Sequence, residues 1–307
     1  MTPLFPVLMR RRRMLRKRCG SGGGSNRTDS VFRGHRRGLR PGGNGNSISD
    51  GMKKIRDIGI ALCAVCMAAT GCSDGRPVSG REALGLKGAV CSVTVTAYEA
   101  VAADGRVERG VPVEDPRTNR SYRFDRDGNT VHAEYYLGGM LVGWDDYTYG
   151  PDGRTDSIVC RSVYFGGDRT VGFAWGDGEN HVRRTYDEQG RLVVEERFER
   201  RGNRSRNVCV FDGGDTVEFV TRYRGRLPVR QEWRSEAYDT VLEYTYDRDG
   251  NPTEITDCTD GAMTGATRLE YTAFDGEGNW TSRVVYDADG SGAAVPRRVE
   301  ERTITYY

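Results

Sequence analysis

The sequence predicts an all-β protein, an antiparallel meander of repeated hairpins in an open or rolled sheet. Three observations carry this. From Val90 onward apolar and polar residues alternate between turn signals, the pattern of half-buried strands. Glycines at 128, 153, 178, 202, 225, 250 and 278 recur with spacings of 25, 25, 24, 23, 25 and 28 residues. No amphipathic stretch of helical length interrupts them.

Each unit of about 25 residues holds two strands of about eight residues and two turns, so one unit is one hairpin. Val93 and Val95 fall on one face of a strand, as do Val131, Ala133 and Tyr135. The same alternation groups Val217, Phe219 and Tyr223, then Leu242, Tyr244 and Tyr246, then Trp280, Val284 and Tyr286, and last Ile304 with Tyr306. The intervening positions are largely Thr, Arg, Glu and Ser, so one face is dry and the other wet. Turns such as Asp127-Gly128-Asn129 and Asp249-Gly250-Asn251 supply the residues that tolerate positive φ.

Ahead of this domain, expected over residues 90–307, the chain changes character three times. Residues 1–51 hold Arg10 to Arg13 and a Gly/Ser run with almost no apolar periodicity, so they are expected to be a disordered basic extension upstream of a true start at Met52. Residues 52–71 carry a basic start, an apolar run from Ile58 to Thr70, and small residues before a cysteine, the layout of an export signal. Thirteen residues fall short of the ~20 needed to span a bilayer. Ala69-Thr70-Gly71-Cys72 resembles the lipobox of bacterial lipoproteins. The resemblance implies cleavage before Cys72, lipid on its sulfur, and residues 72–89 as a tether. An ordinary signal peptide, or a buried apolar helix with a chance cysteine, is the competing reading.

Charge supports that division. The whole chain is +2, but residues 1–71 hold 15 basic and 3 acidic residues, and 72–307 hold 31 and 41. An acidic body argues against a nucleic-acid partner. The partners expected are instead a membrane, through the lipid, and a glycan or protein ligand. The location expected is the bacterial cell envelope; Ser73 after the cysteine favours the outer membrane over retention in the inner one.

Tyr122-Arg-Phe-Asp125-Arg-Asp127-Gly128-Asn129, Tyr147-Thr-Tyr149-Gly-Pro-Asp152-Gly153 and Tyr244-Thr-Tyr246-Asp247-Arg-Asp249-Gly250-Asn251 resemble RHS/YD repeats. Phe274-Asp275-Gly-Glu-Gly278-Asn279-Trp280 is similar to the last repeat of small bacterial lipoproteins of that type. The resemblance covers residues 84–307 and implies a fold rather than an activity.

Chemistry is thinly signalled. Cys91, Cys160, Cys209 and Cys258 remain after the signal, the last three spaced by 49 residues, or two hairpin units. Four strands at ~4.8 Å exceed the reach of a disulfide, so they read as small core residues in equivalent places. His132 and His181 lie in no catalytic motif, and Glu195 and Glu196 should point to opposite sides of a strand. No catalytic residue is expected, nor a cofactor. Weak calcium binding is an alternative: Asp287, Asp289 and Ser291 match half of an EF-hand loop, although Arg298 stands where a bidentate Glu is needed. The main expectation is a non-catalytic, lipid-anchored binding or scaffolding domain. Its rival is a carbohydrate-active or carbohydrate-binding protein using acidic side chains with Trp144, Trp175, Trp233 and Trp280 as a platform, against their being core.

Overall fold

The computed structural model describes residues 78–307 apart from 165, 237–238 and 289–291. Residues 1–51, the signal segment, Cys72, Asp289 and Ser291 thus lie outside the described residues. A short helix α1 (Gly80–Ala83) precedes the strands β1 (Val90–Ala103), β2 (Arg106–Pro112), β3 (Arg120–Phe124), β4 (Thr130–Leu137), β5 (Met140–Tyr149), β6 (Thr155–Ser162), β7 (Arg169–Trp175) and β8 (His181–Asp187). There follow β9 (Leu192–Arg201), β10 (Arg204–Phe211), β11 (Thr216–Arg224), β12 (Leu227–Arg234), β13 (Asp239–Tyr246), β14 (Pro252–Thr259), β15 (Ala262–Phe274), β16 (Trp280–Ala288) and β17 (Ala294–Tyr306).

From β3 to β17 every strand pairs antiparallel with the next. β1 then pairs on one side with β17, over Val90–Glu99, and on the other with β3, over Ser92–Val95. The sheet therefore closes into a barrel of 16 strands. β2 stands outside the ring and folds back along the far half of β1, pairing Tyr98 to Ala103. Ring closure is sealed by Ser92 Oγ and Thr305 Oγ1 at 2.7 Å and by the Tyr307 N–H, which donates to the Ala89 carbonyl at 3.0 Å.

The meander of hairpins is as expected; the open or rolled edge is corrected. A long sheet of this sort leaves two rows of unpaired backbone groups, and pairing the first strand with the last removes both. The RHS/YD-repeat resemblance is corrected with it: the Tyr-Asp-Gly elements are the turns at one mouth of a closed barrel.

The repeat has a physical basis. Strand register shifts beside the aromatic residue that leads into the turn, at Phe124, Tyr149, Tyr186 and Tyr246. Such a bulge frees a carbonyl. The aromatic leading into one such turn bonds a carbonyl just past the preceding turn at the same mouth: the Tyr149 hydroxyl donates to Thr130 at 2.7 Å, Trp175 Nε1 to Thr155 at 2.7 Å, and the Tyr246 hydroxyl to Pro228 at 2.6 Å. Tyr271 does the same to Pro252 at 2.9 Å. Aromatic, acid and glycine thus recur together because each hairpin is fastened to its neighbour by the first and turned by the other two.

Alternation sorts the walls. Val93, Ala133, Ile158, Val171, Phe198 and Cys209 face inward and are buried. Two expected groupings fail at bulges. Val131 is exposed while Ala133 is buried. On β16 the register shifts between Tyr271 and Phe274 turn Trp280 inward, whereas Val284 and Tyr286 take the outward alternation and Val285 the inward one. Cys160 and Cys209 face inward, but Cys258 pairs with Val241 on the outward row. Equal spacing does not preserve facing when bulges insert single residues. Among the described residues Cys91, Cys160, Cys209 and Cys258 form no disulfide.

Candidate functional site: a capped mouth and a charged inner wall

Residues 79–88 lie across the mouth formed by the Tyr-Asp-Gly turns. Ser79 accepts from the Glu82 N–H and Glu82 reaches back to the Ser79 N–H at 3.0 Å, a capping box that folds this segment into a tight turn. Its neighbours are distributed round the ring. The Arg81 N–H donates to the Gly128 carbonyl at 3.0 Å, and its Nη2 to the Arg126 carbonyl at 2.9 Å, both in the β3–β4 turn. Arg226, in the β11–β12 turn, donates to Glu82 Oε1 at 3.1 Å. Those two turns are eight strands apart in a ring of 16, on opposite sides. A third anchor is reciprocal: the Lys87 N–H donates to Asn279 Oδ1 at 2.7 Å and Asn279 Nδ2 to the Lys87 carbonyl at 3.0 Å, in the β15–β16 turn. Leu84 and Leu86 pack on Val93, Val95, Tyr122 and Ile304 of the inner wall.

The fit is close. Arg81 occupies the space that a side chain at Gly128 would need, at a φ of 92° that favours glycine in any case. A Cβ on Gly80 would run into Thr130. Gly80→Ala is therefore expected to unseat the cap while leaving the barrel folded, read as faster tryptic cleavage after Arg81 with little change in the unfolding midpoint.

The turn acids are used locally. Asp125 accepts from the Asn129 N–H at 2.8 Å and from its side chain at 3.0 Å; Asp247 and Asn251 repeat both bonds at the same distances. Burial works against the Asp247 anion, but the donors from Asn251 and Asp249 prevail and hold its carboxyl below the usual range. These carboxylates are engaged by their own turns, and no group of three metal-ligating side chains occurs among the described residues. Asp287 accepts from Thr267 Oγ1 at 3.3 Å.

Inside, polar groups are paired across strands. Arg183 and Glu196 form an ion pair, both almost fully buried, while Glu195 faces outward to Arg184 and Arg197. Tyr135 donates to Asp145 at 2.6 Å. Burial, then the charge of Asp145, pushes the Cys160 thiol well up, so it is a core thiol rather than a nucleophile. His181 stacks between Trp175 and Phe198, at 4.5 and 5.0 Å between ring centres, and burial lowers its pKa. His132 lies on the outer wall, with Nδ1 2.6 Å from Asp146. Of the four tryptophans, 175, 233 and 280 face inward; Trp144 faces outward and is 37% exposed.

The outer wall bears charge at mid-strand. Glu195 is paired with Arg184 and Arg197, Arg206 with Glu218, Arg230 with Glu232 and Glu243, Arg268 with Glu270, and Arg109 with Glu301. A membrane-spanning barrel presents an apolar band ~25 Å tall at this height, where an outward Arg costs ~2–4 kcal/mol. No strand from β9 to β12 carries such a band.

No protein-family model matches the chain, and no curated protein matches it. Among solved structures it is similar to a porin-like protein from Bacteroides uniformis ATCC 8492. Identity is 12%, the TM-score 0.47, and the match covers 70% of this chain and 98% of that one. The likeness carries nothing about activity. Sequence reading missed the cap altogether, since its signal, Ser79-Gly-Arg-Glu82, is four residues long. It missed the inward ion pairs because arginine and glutamate were assigned to the wet face.

Proposed function

We propose that this is an envelope protein whose barrel sits outside the bilayer, held by lipid on Cys72, and acts by binding rather than by catalysis. The observation that carries this reading is the outer wall, where ion pairs occupy the height that lipid tails would cover. Residues 72 to 78 span at most ~3.6 Å each, or roughly 25 Å, so the tether would keep the capped mouth toward the membrane. The opposite mouth, with β2 beside it, would face outward. Inward aromatic and charged side chains make the barrel interior the place for a ligand, in keeping with a binding role.

Two measurements test it. Cys72→Ser is expected to abolish lipid labelling and to release the protein from membranes. Purified protein added to planar bilayers is expected to give no conductance steps. Stepwise conductance would show that the wall faces lipid after all, and membrane retention of the serine variant would remove the anchor.

A further inference from the structure

Four inward arginines lie around the start of β16 and the end of β17, with one acid among them. Glu300 accepts from Arg283 at 2.5 Å and from Arg298 at 2.5 Å, and is thereby used up. Arg302, two residues on and facing the same way, has no carboxylate partner among the described residues. Its Nη2 donates to the Leu84 carbonyl of the cap at 3.3 Å. Its Nε and Nη1 each keep less than 1 Å² of accessible surface and find no acceptor. The guanidinium lies 3.7 Å from the Trp280 ring centre, and that of Arg283 4.3 Å from the same ring. Arg120 is two strands away through Val95, which pairs with both Arg302 and Arg120. It too has no ion pair among the described residues, lying 5.9 Å from the Tyr122 ring.

Buried N–H donors without acceptors are costly, and a cation buried beside other cations more so. Burial, then the nearby Arg283 charge, pushes the Arg302 pKa down to about 9, so at neutral pH the group is still a cation. Stacking on an indole satisfies the face of a guanidinium and leaves its edge donors unused. The unused edge of Arg302 beneath the cap, with the Arg120 side chain on the same face two strands away, matches the fork geometry of a carboxylate or phosphate.

We propose that the inner wall beneath the cap is a binding subsite for an oxyanion, the carboxylate or phosphate group of an acidic ligand, held by Arg302 and Arg120. Trp280 fixes the plane of Arg302, and the Leu84 carbonyl holds one of its donors until the ligand arrives. This deepens the binding role proposed above and rests on that reading.

The test uses the full-length chain with inorganic phosphate and with acetate as probes, titrated by calorimetry at constant ionic strength. Saturable binding of one or both is expected, and the stronger of the two identifies the headgroup. Arg302→Gln and Arg120→Gln should each weaken it by about tenfold or more, whereas Arg197→Gln on the outer wall should not. Absence of binding in the parent, or binding as strong as the parent's in both inner-wall variants, overturns the site. Should Arg302→Gln fail to fold, unchanged binding in Arg120→Gln is sufficient to overturn it. Failure here leaves the outer-wall argument standing, and conductance in bilayers would overturn that argument without touching this one.

Discussion

Glu300→Ala is expected to lower stability by about 3–5 kcal/mol, because it strips the acid from a buried cluster of guanidinium groups. Glu300 is 4% exposed and neutralises Arg283 and Arg298 at once. Without it, those two and Arg302 would stand as neighbouring like charges, Arg283 and Arg302 both against Trp280, in a medium that screens poorly. The matched control is Glu270→Ala. That residue pairs with Arg268 on the outer wall, where both side chains are 54% exposed, and its loss should cost no more than ~1 kcal/mol. Urea denaturation of the three proteins separates them, and equal midpoints for the two variants would show that the cluster adds nothing. The pH dependence has a definite sign. Burial disfavours the Glu300 anion, but the two arginines prevail and its pKa lies below the ordinary 4.5. A carboxyl depressed on folding contributes stability above its unfolded value, and that contribution is lost as pH falls through the folded one. The parent should therefore weaken on acidification below 4.5 more steeply than Glu300→Gln, which has nothing there to protonate.

How far the sequence reached can be followed in single residues. The period of glycines located the hairpins because positive φ is a backbone need that few residues meet, and Gly128, Gly153, Gly178, Gly202, Gly225, Gly250 and Gly278 all adopt it. Facing was legible wherever strands run without bulges, as for Val217 and Phe219, and was lost at Val131 and Val284, where one inserted residue inverts the pattern. Closure was not legible. Nothing local in Ser92-Val-Thr-Val95 distinguishes a strand with two neighbours from an edge strand, since the second neighbour lies more than two hundred residues away. The inner-wall charges were hidden for a related reason. A dry-face and wet-face alternation treats Arg183, Glu196, Arg283 and Glu300 as solvent-facing, yet they pair across adjacent inward strands and satisfy each other. Arg302 escaped notice because its significance lies in the partner it lacks.

The largest effect should come from removing β17. In an open meander the last strand contributes one ladder, and a chain ending at residue 293 would keep the rest of the sheet with a modest loss. In a closed ring, the same deletion exposes β1 and β16 together as edges. It also takes Ile304 from the cluster of Val93, Leu86 and Phe124, and Arg302 from Trp280. Tyr306, which donates to Asp275 at 2.5 Å and accepts from Asn279 at 2.8 Å, goes as well, freeing the turn that anchors the cap. Each hairpin buries only one face, so the array has no stable part to retreat to. The truncated chain is expected to show no cooperative unfolding transition and to associate through its two exposed edges. A peptide of residues 294–307 added in trans should restore the transition, because its ladders to β1 and β16 are intact. A truncated chain that stays monomeric and unfolds cooperatively at the parent's urea concentration would mean that β1 and β17 are neighbours by proximity only, and that the ring does not hold the fold together.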